Sequence, residues 1–434
     1  LRLLDETLPV SYSVMPGLVP GIHVVLRTPD NVDGRDKPGH DGVDRRKHKT
    51  SIFICNRPAP GHEARACMSL RRKILYFAGA VVVAAAIGIT TTVITVETVC
   101  SADVPTPVVT SQFGITDPGY ARSQGDSFLT FPEWYIVHAY SDLAGVTGQK
   151  SESDFHYLSS IAGFWRSLCR ATRQADGSGP ATSDQKLTNY IIGFSFTAEM
   201  ALQGGYEKTV GALTEETTDG VKTAEDAFNL ALLKDYAAFL YQTPWYRYPF
   251  WAKLEQFWRD TPFVPSLRSV ERRLSLSLQY AGRAAYAAVI GYAAGYDPAI
   301  LTIQSVVTGL PAADLAAIPG VKVIREVTDA KGVRGVLVQT ERYARFDAFV
   351  KELGRHPGAA LAEVAGNHRI LVTIVVPPGD GRLAAFEGLP IFSVPIQSRP
   401  GARRIGVDVP IRSLVQDITR FEAAGYDFEH AYDY

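Results

Sequence analysis

The sequence predicts an α+β protein: a single N-terminal transmembrane helix, a helical domain, then a C-terminal ferredoxin-like domain. Three observations predict it. Residues 74–96 carry no charge, apolar side chains recur at three- and four-residue spacing from about 128 to 300, and the period changes after Pro298. The chain has 434 residues, 46% of them hydrophobic and 10% aromatic, which supports a sizeable core and excludes wholesale disorder. Its 44 basic and 45 acidic side chains leave a formal charge of −1, so no nucleic-acid partner is expected.

Residues 1–67 read differently from the rest. They carry turn pairs such as Pro16-Gly17 and Pro38-Gly39 and a basic run, Arg45-Arg46-Lys47-His48-Lys49, without a sustained apolar period. The stretch Met15-Pro16-Gly17-Leu18-Val19-Pro20-Gly21-Ile22-His23 resembles the translation of an intergenic repeat found in bacterial genomes. That resemblance implies that translation begins at Met68. A disordered cytoplasmic tail is the other reading, and both leave the segment outside the fold.

Arg71-Arg72-Lys73 precede the uncharged run, while Glu97 and Asp103 follow it. As a helix rising about 1.5 Å per residue, residues 74–96 reach roughly 34 Å, against a hydrocarbon core of about 30 Å. A transmembrane helix over 71–97 follows, with the bilayer as its partner through residues 74–96. The flanking charges put the short N-terminus in the cytoplasm and the bulk of the chain in the periplasm of a bacterial inner membrane. A cleaved signal peptide fits less well, because the run is too long and Cys100-Ser101-Ala102 makes a poor cleavage site. Residues 98–127, with Pro105 and Pro107, read as a linker. Cys55 and Cys67 fall in the first segment. Cys100 and Cys169 would share an oxidising compartment, but Cys169 lies on an apolar stripe, the usual setting of a buried free thiol, and the expectation is no bridge.

The helical domain is expected over 128–300. Thr130-Phe131-Pro132-Glu133 has capping-box spacing before Trp134, Val137 and Tyr140. A second helix opens near Ser151–Asp154 with Phe155, Leu158, Ala162, Trp165 and Cys169 in its stripe. A third runs from about Lys186 with Tyr190, Ile191, Phe194, Ala198 and Leu202, and a fourth opens near Thr223. Thr243 to Trp258 then concentrates Trp245, Tyr246, Trp251 and Trp258 with Arg247 and Lys253. Rings mixed with cations suit a membrane–water interface, and equally a loop shaped by Pro244 and Pro249 whose rings fill the core. Leu274 to Tyr296 resembles a second span, but Arg283 near its middle argues for a buried helix.

Beyond 300 the α+β ferredoxin-like domain is expected to run to 434. Strands are read at 321–327, 333–340, 391–397 and 404–409, with helices at 343–353 and 411–424 and a last strand at 427–432. Residues 360–365 and 369–376 read as a hairpin about Gly366-Asn367-His368. Without the inserted strands the order is β-α-β-β-α-β.

Little in the chain reads as catalysis. Gly193-Phe194-Ser195-Phe196-Thr197 misses the G-x-S-x-G elbow by its last glycine and sits mid-helix. Glu133, His138, Asp154 and His156 could run acid–base chemistry or hold a metal, but Glu133 and Asp154 read as helix caps and His138 lies off the face of Glu133. Glu199 interrupts an apolar helix. No cofactor and no metal is expected. The function read from the sequence is a single-pass inner-membrane protein with an envelope-facing binding or assembly domain that meets an envelope protein or lipid. Its alternative is a membrane-tethered hydrolase or metalloenzyme using Glu133, His138 and His156.

Overall fold

The computed structural model describes residue 76 and residues 87–100, 111–178, 183–294, 301–379 and 388–434. The reading of residues 1–67, with Cys55 and Cys67, lies outside them, as does most of the expected span. Of that span, Tyr76 and residues 87–96 are described and helical, the latter in a helix α1 over 87–99. Thr92 and Thr95 each return a hydroxyl hydrogen bond to the carbonyl four residues back. Among the described residues no helix is long and apolar enough to cross a membrane. The described residues up to Glu97 belong to one compact unit and those from Thr98 to Tyr434 to a second.

The second unit is α+β and is organised around α2 (Gln124–Gln149), of whose 26 residues 22 are buried. A helix apolar and buried on nearly all sides must be covered on nearly all sides. Here α3 (Tyr157–Ser178), α4 (Ser183–Tyr206), α6 (Ala224–Leu240) and strands of the C-terminal part all pack on it. The expected start at Thr130 is corrected. The helix begins six residues earlier, Thr130 Oγ1 returns to the Asp126 carbonyl, and Pro132 lies inside. Burial of the first turns outweighs the hydrogen bond that Pro132 cannot make. Ser151 and Asp154 do form a capping box, on a short 3-10 turn, as Thr223 and Asp226 do at the head of α6.

A π turn (Glu207–Gly211) leads into α5 (Ala212–Glu216); α7 (Phe250–Asp260) and α8 (Leu267–Ala294) complete the helical layer. Two expectations about faces are corrected here. Leu158, Ile191 and Leu202, read as core-facing, are exposed, whereas Ile192, Phe196 and Met200 carry the inner face of α4. The stretch from Leu274 buries one face only, through Leu276, Tyr280 and Ala287, while Leu274, Leu278, Val289 and Tyr292 face out.

Among the described residues the C-terminal part holds eight strands in two antiparallel sheets. The first contains β1 (Thr302–Thr308), β2 (Lys322–Thr328), β3 (Arg334–Glu341) and β4 (Ala360–Val364) in the order β2-β3-β1-β4. The second contains β5 (Arg369–Val376), β6 (Leu389–Pro395), β7 (Arg403–Pro410) and β8 (Asp427–Tyr432) in the order β6-β7-β5-β8. The pairing pattern of the first four strands thus recurs four strands later. Helices α9 (Ala312–Ala317), α10 (Ala344–Leu353) and α11 (Ile411–Ala423) share one apolar core with both sheets, built on Val307, Phe346, Phe349, Val372, Leu414 and Phe421. The expected hairpin at 366–368 is corrected: the turn closes only a single isolated bridge, Val364 to Asn367, and β4 and β5 join different sheets. Seven of the eight β5 residues are buried, a pattern that demands a central strand flanked on both edges, and β7 and β8 supply them.

Cys100 and Cys169 are joined by a disulfide, against the expectation of a free thiol. Cys169 is only half-buried, because the buried face of α3 is carried by Phe164, Leu168, Ala171 and Ala175, and its sulfur meets the buried Cys100 instead of the core.

Candidate ligand cleft and the predicted site residues

Between α4 and α8 a cleft with about 760 Å³ of empty volume, part of it open to solvent, reaches down to α2 and α6. Its walls are apolar, with Ile191, Ile192 and Phe196 from α4, Ile136 from α2, Leu240 from α6 and Ile290 from α8. Trp245 stands beside Tyr286, with ring centroids 5.0 Å apart. The polar groups are few. Arg283 of α8 meets Glu199 of α4, its Nε 2.8 Å from Oε1, and its guanidinium lies 5.7–5.8 Å from the ring centroids of Tyr140, Tyr236 and Phe250. Ser195 Oγ lies 3.2 Å from Tyr286 Oη.

Each of the two lone charges in an apolar helix thus answers the other, because a buried charge must be paired. Burial works against the Arg283 charge, yet Glu199, Tyr140 and Tyr236 together hold its pKa above the usual guanidinium range. Burial first, and Glu199 second, push the Tyr140 phenol well above its ordinary value, so it stays protonated. One guanidinium nitrogen, Nη1 of Arg283, is buried without a hydrogen-bond partner. Among the described residues no imidazole or thiol lines the cleft, and Ser195 meets a phenol rather than a base. This arrangement can hold a ligand by apolar contact and orient one polar end. The sequence carries a signal for it: Glu199 and Arg283 are each the lone charge of an apolar stretch, and such charges seek each other across helices.

The other candidate residues have different settings. Glu133 is a buried mid-helix residue that accepts a 2.6 Å hydrogen bond from Gln185 Nε2. It lines a smaller polar cavity with Asp126, Thr130, Arg342, Tyr343 and Tyr434. His138 is buried on the same helix, its Nε2 3.5 Å from Glu429 and 3.4 Å from the Tyr432 hydroxyl. Burial first, then Arg404, lowers its pKa to about 3 despite Glu429. Glu429 is held by Arg404 at 2.7 Å, and that pair, chiefly through Arg404, lowers the Glu429 pKa to about 2 against the effect of burial. Asp154 caps the 3-10 turn through the Ser151 amide at 3.1 Å. His156 is exposed, and its amide donates to Gln397. Among the described residues no group of three or more His, Cys, Asp or Glu is placed to hold a metal.

Sequence reasoning missed the buried seam around Glu429. There Trp134 stacks on His430 at 3.6 Å, and His430 Nδ1 meets Asp347 at 2.5 Å. The aromatic segment divides between its two readings. Tyr248, Phe250 and Phe257 are buried, Trp245 and Tyr246 are half-buried, Arg247 is exposed, and Trp251 and Trp258 are 60% and 52% exposed. Comparison of the chain with protein-family models, curated proteins and solved structures found no match.

Proposed function

We propose that the chain is a single-pass protein of the bacterial inner membrane whose periplasmic part binds an apolar ligand in the α4–α8 cleft. The observation that carries this reading is the cleft itself. Its apolar walls with a few convergent polar groups, Arg283, Glu199 and the Ser195 and Tyr286 hydroxyls, are the usual lining of a small-molecule site. The uncharged run with its basic flank supports the anchor, and the Cys100–Cys169 bridge supports an oxidising environment for the chain beyond the run. The two repeated strand orders support a ferredoxin-like arrangement for each sheet, a fold that hosts many activities and so adds little to function.

The test is to hold the full chain in amphipol and titrate it with a fluorescent polyene fatty acid, reading energy transfer from tryptophan. Saturable transfer is expected. Ser195→Phe should fill the cleft and abolish saturation while the melting temperature stays within a few degrees of the parent. Transfer that stays saturable in this variant, or that never saturates in the parent, overturns the reading.

A further inference from the structure

Helix α8 is turned inside out relative to an ordinary surface helix. It contains five charged residues along its 28 positions, and each one faces inward. Arg268 meets Asp226 at 2.9 Å and Glu271 at 3.3 Å, Arg272 meets Glu207 at 2.7 Å, Arg273 meets Glu225 at 2.9 Å, and Arg283 meets Glu199. The outer face carries Leu267, Val270, Leu274, Leu278, Val289 and Tyr292, which are 45–88% exposed. Neighbouring α4 repeats the pattern: between Leu187 and Tyr206 its one charged residue is Glu199, turned to Arg283, while Leu187, Ile191 and Leu202 are exposed. Single exposed apolar residues are common, but a charge-free stripe running the length of two adjacent helices marks an interaction surface. Charges paired inside and apolar residues outside is the arrangement that a hydrocarbon neighbour selects.

We propose that the outer face of α4 and α8 lies against the bilayer that holds the uncharged run. This rests on the anchoring proposed above. Cys100 stands four positions after Val96, the end of the run, just past the helical residues 87–99, so about 6 Å of helix rise separates them. Cys100 is bonded to Cys169 of α3. That helix packs on α4 through Phe164 on Phe196 and through Trp165 Nε1, which donates to Thr197 Oγ1 at 3.0 Å. The end of the run is therefore tied to the helical layer that carries the apolar face, and a lipid surface is the occupant within its reach. Beside α8, Trp258 donates to Ser277 at 2.9 Å and keeps its ring half in solvent, as interfacial tryptophans do.

The test uses the full chain with Cys55→Ser and Cys67→Ser, reconstituted in phosphatidylcholine–phosphatidylglycerol liposomes and spin-labelled at Leu278→Cys, at Tyr292→Cys or, as the control, at Lys322→Cys. Collision rates with oxygen and with a water-soluble nickel chelate are then measured. The oxygen-to-nickel ratio at 278 and 292 should exceed that at 322 several-fold. High nickel collision at 278 and 292 means a water-facing surface and overturns the proposal. Low collision with both probes means a second protein covers the face, and that also overturns it. Carbonate extraction of the same liposomes reads the anchor separately, so that an anchored chain with a wet 278 refutes the docking face alone. A melting curve matching the parent shows that each labelled chain is folded.

Discussion

Replacing Arg272 by Met should be among the most damaging single changes in the helical layer. The side chain is 1% exposed and forms a two-pronged pair with Glu207, both contacts at 2.7 Å, while its Nε reaches Asp226 at 2.9 Å. Asp226 keeps Arg268, and Glu152, 3.7 Å from Arg272, keeps the neutral Gln203 and Asn229, so Glu207 loses its two-pronged charge partner and Glu152 a more distant one. Breaking a buried pair from one side costs about 3–5 kcal/mol. At roughly 2 °C per kcal/mol for a unit of this size, the melting temperature should fall about 6–10 °C. The loss should also depend on pH. Burial first, and Glu152 second, raise the Glu207 pKa from 4.5 to about 7 even with Arg272 present. A carboxyl raised on folding binds more protons folded than unfolded between those values. Its contribution is therefore largest below pH 4.5 and declines as the pH rises through 7, by about 1.4 kcal/mol per unit. Without Arg272 the decline extends to higher pH, so Arg272→Met should lose more relative to the parent at pH 8 than at pH 5.5. Adding Glu207→Leu should recover most of the loss, since a buried ion pair exchanged for apolar side chains is often near neutral. Thermal melts followed by circular dichroism at both pH values measure all of this. A shift under about 2 °C that is equal at both pH values, or a double variant no better than the single, would refute the reasoning.

Two further outcomes rest on the same geometry. Cys169→Ser opens a bridge between residues 69 apart, whose closure restricts the unfolded chain by up to about 4 kcal/mol, and should lower the melting temperature as much as reduction of the parent does; unequal effects of the two would mean that the bridge is not what the substitution removes. His138 has a folded pKa of about 3 against 6.5 unfolded, so the unfolded state binds more protons between these values. The contribution of His138 is then complete above about pH 6.5 and is lost as the pH falls toward 3. Urea titrations at pH 7 and pH 4.5 should show a steeper acid loss in the parent than in His138→Gln, and equal losses would contradict the buried neutral imidazole.

Much of the secondary structure was legible because its cause is local. The Thr223–Asp226 capping pair opens α6 where expected, and the hydrophobic alternation places β3 and α11 within a residue or two. What failed did so for non-local reasons. β1 was not read at all, since Thr302–Thr308 becomes a strand only through its partners β3 and β4. Trp251 and Phe257 lie on one short helix, and nothing in their spacing distinguishes the exposed ring from the buried one until α8 covers the second.

For this chain, the sequence by itself determined the uncharged run and its basic flank, the division into helical and α+β parts, and the residue types available for chemistry, because each arises from composition and short-range period. Tertiary structure alone decided that the eight strands form two sheets with one recurring order, that Cys100 meets Cys169, and that Glu199 and Arg283 share a cleft. It also decided which way the helices turn. The apolar stripes of α4 and α8 are plain in the sequence, but a stripe records periodicity and not direction. Here the inward faces combine apolar residues such as Phe196 and Tyr280 with charges that satisfy one another, and further apolar residues are left outside on each helix.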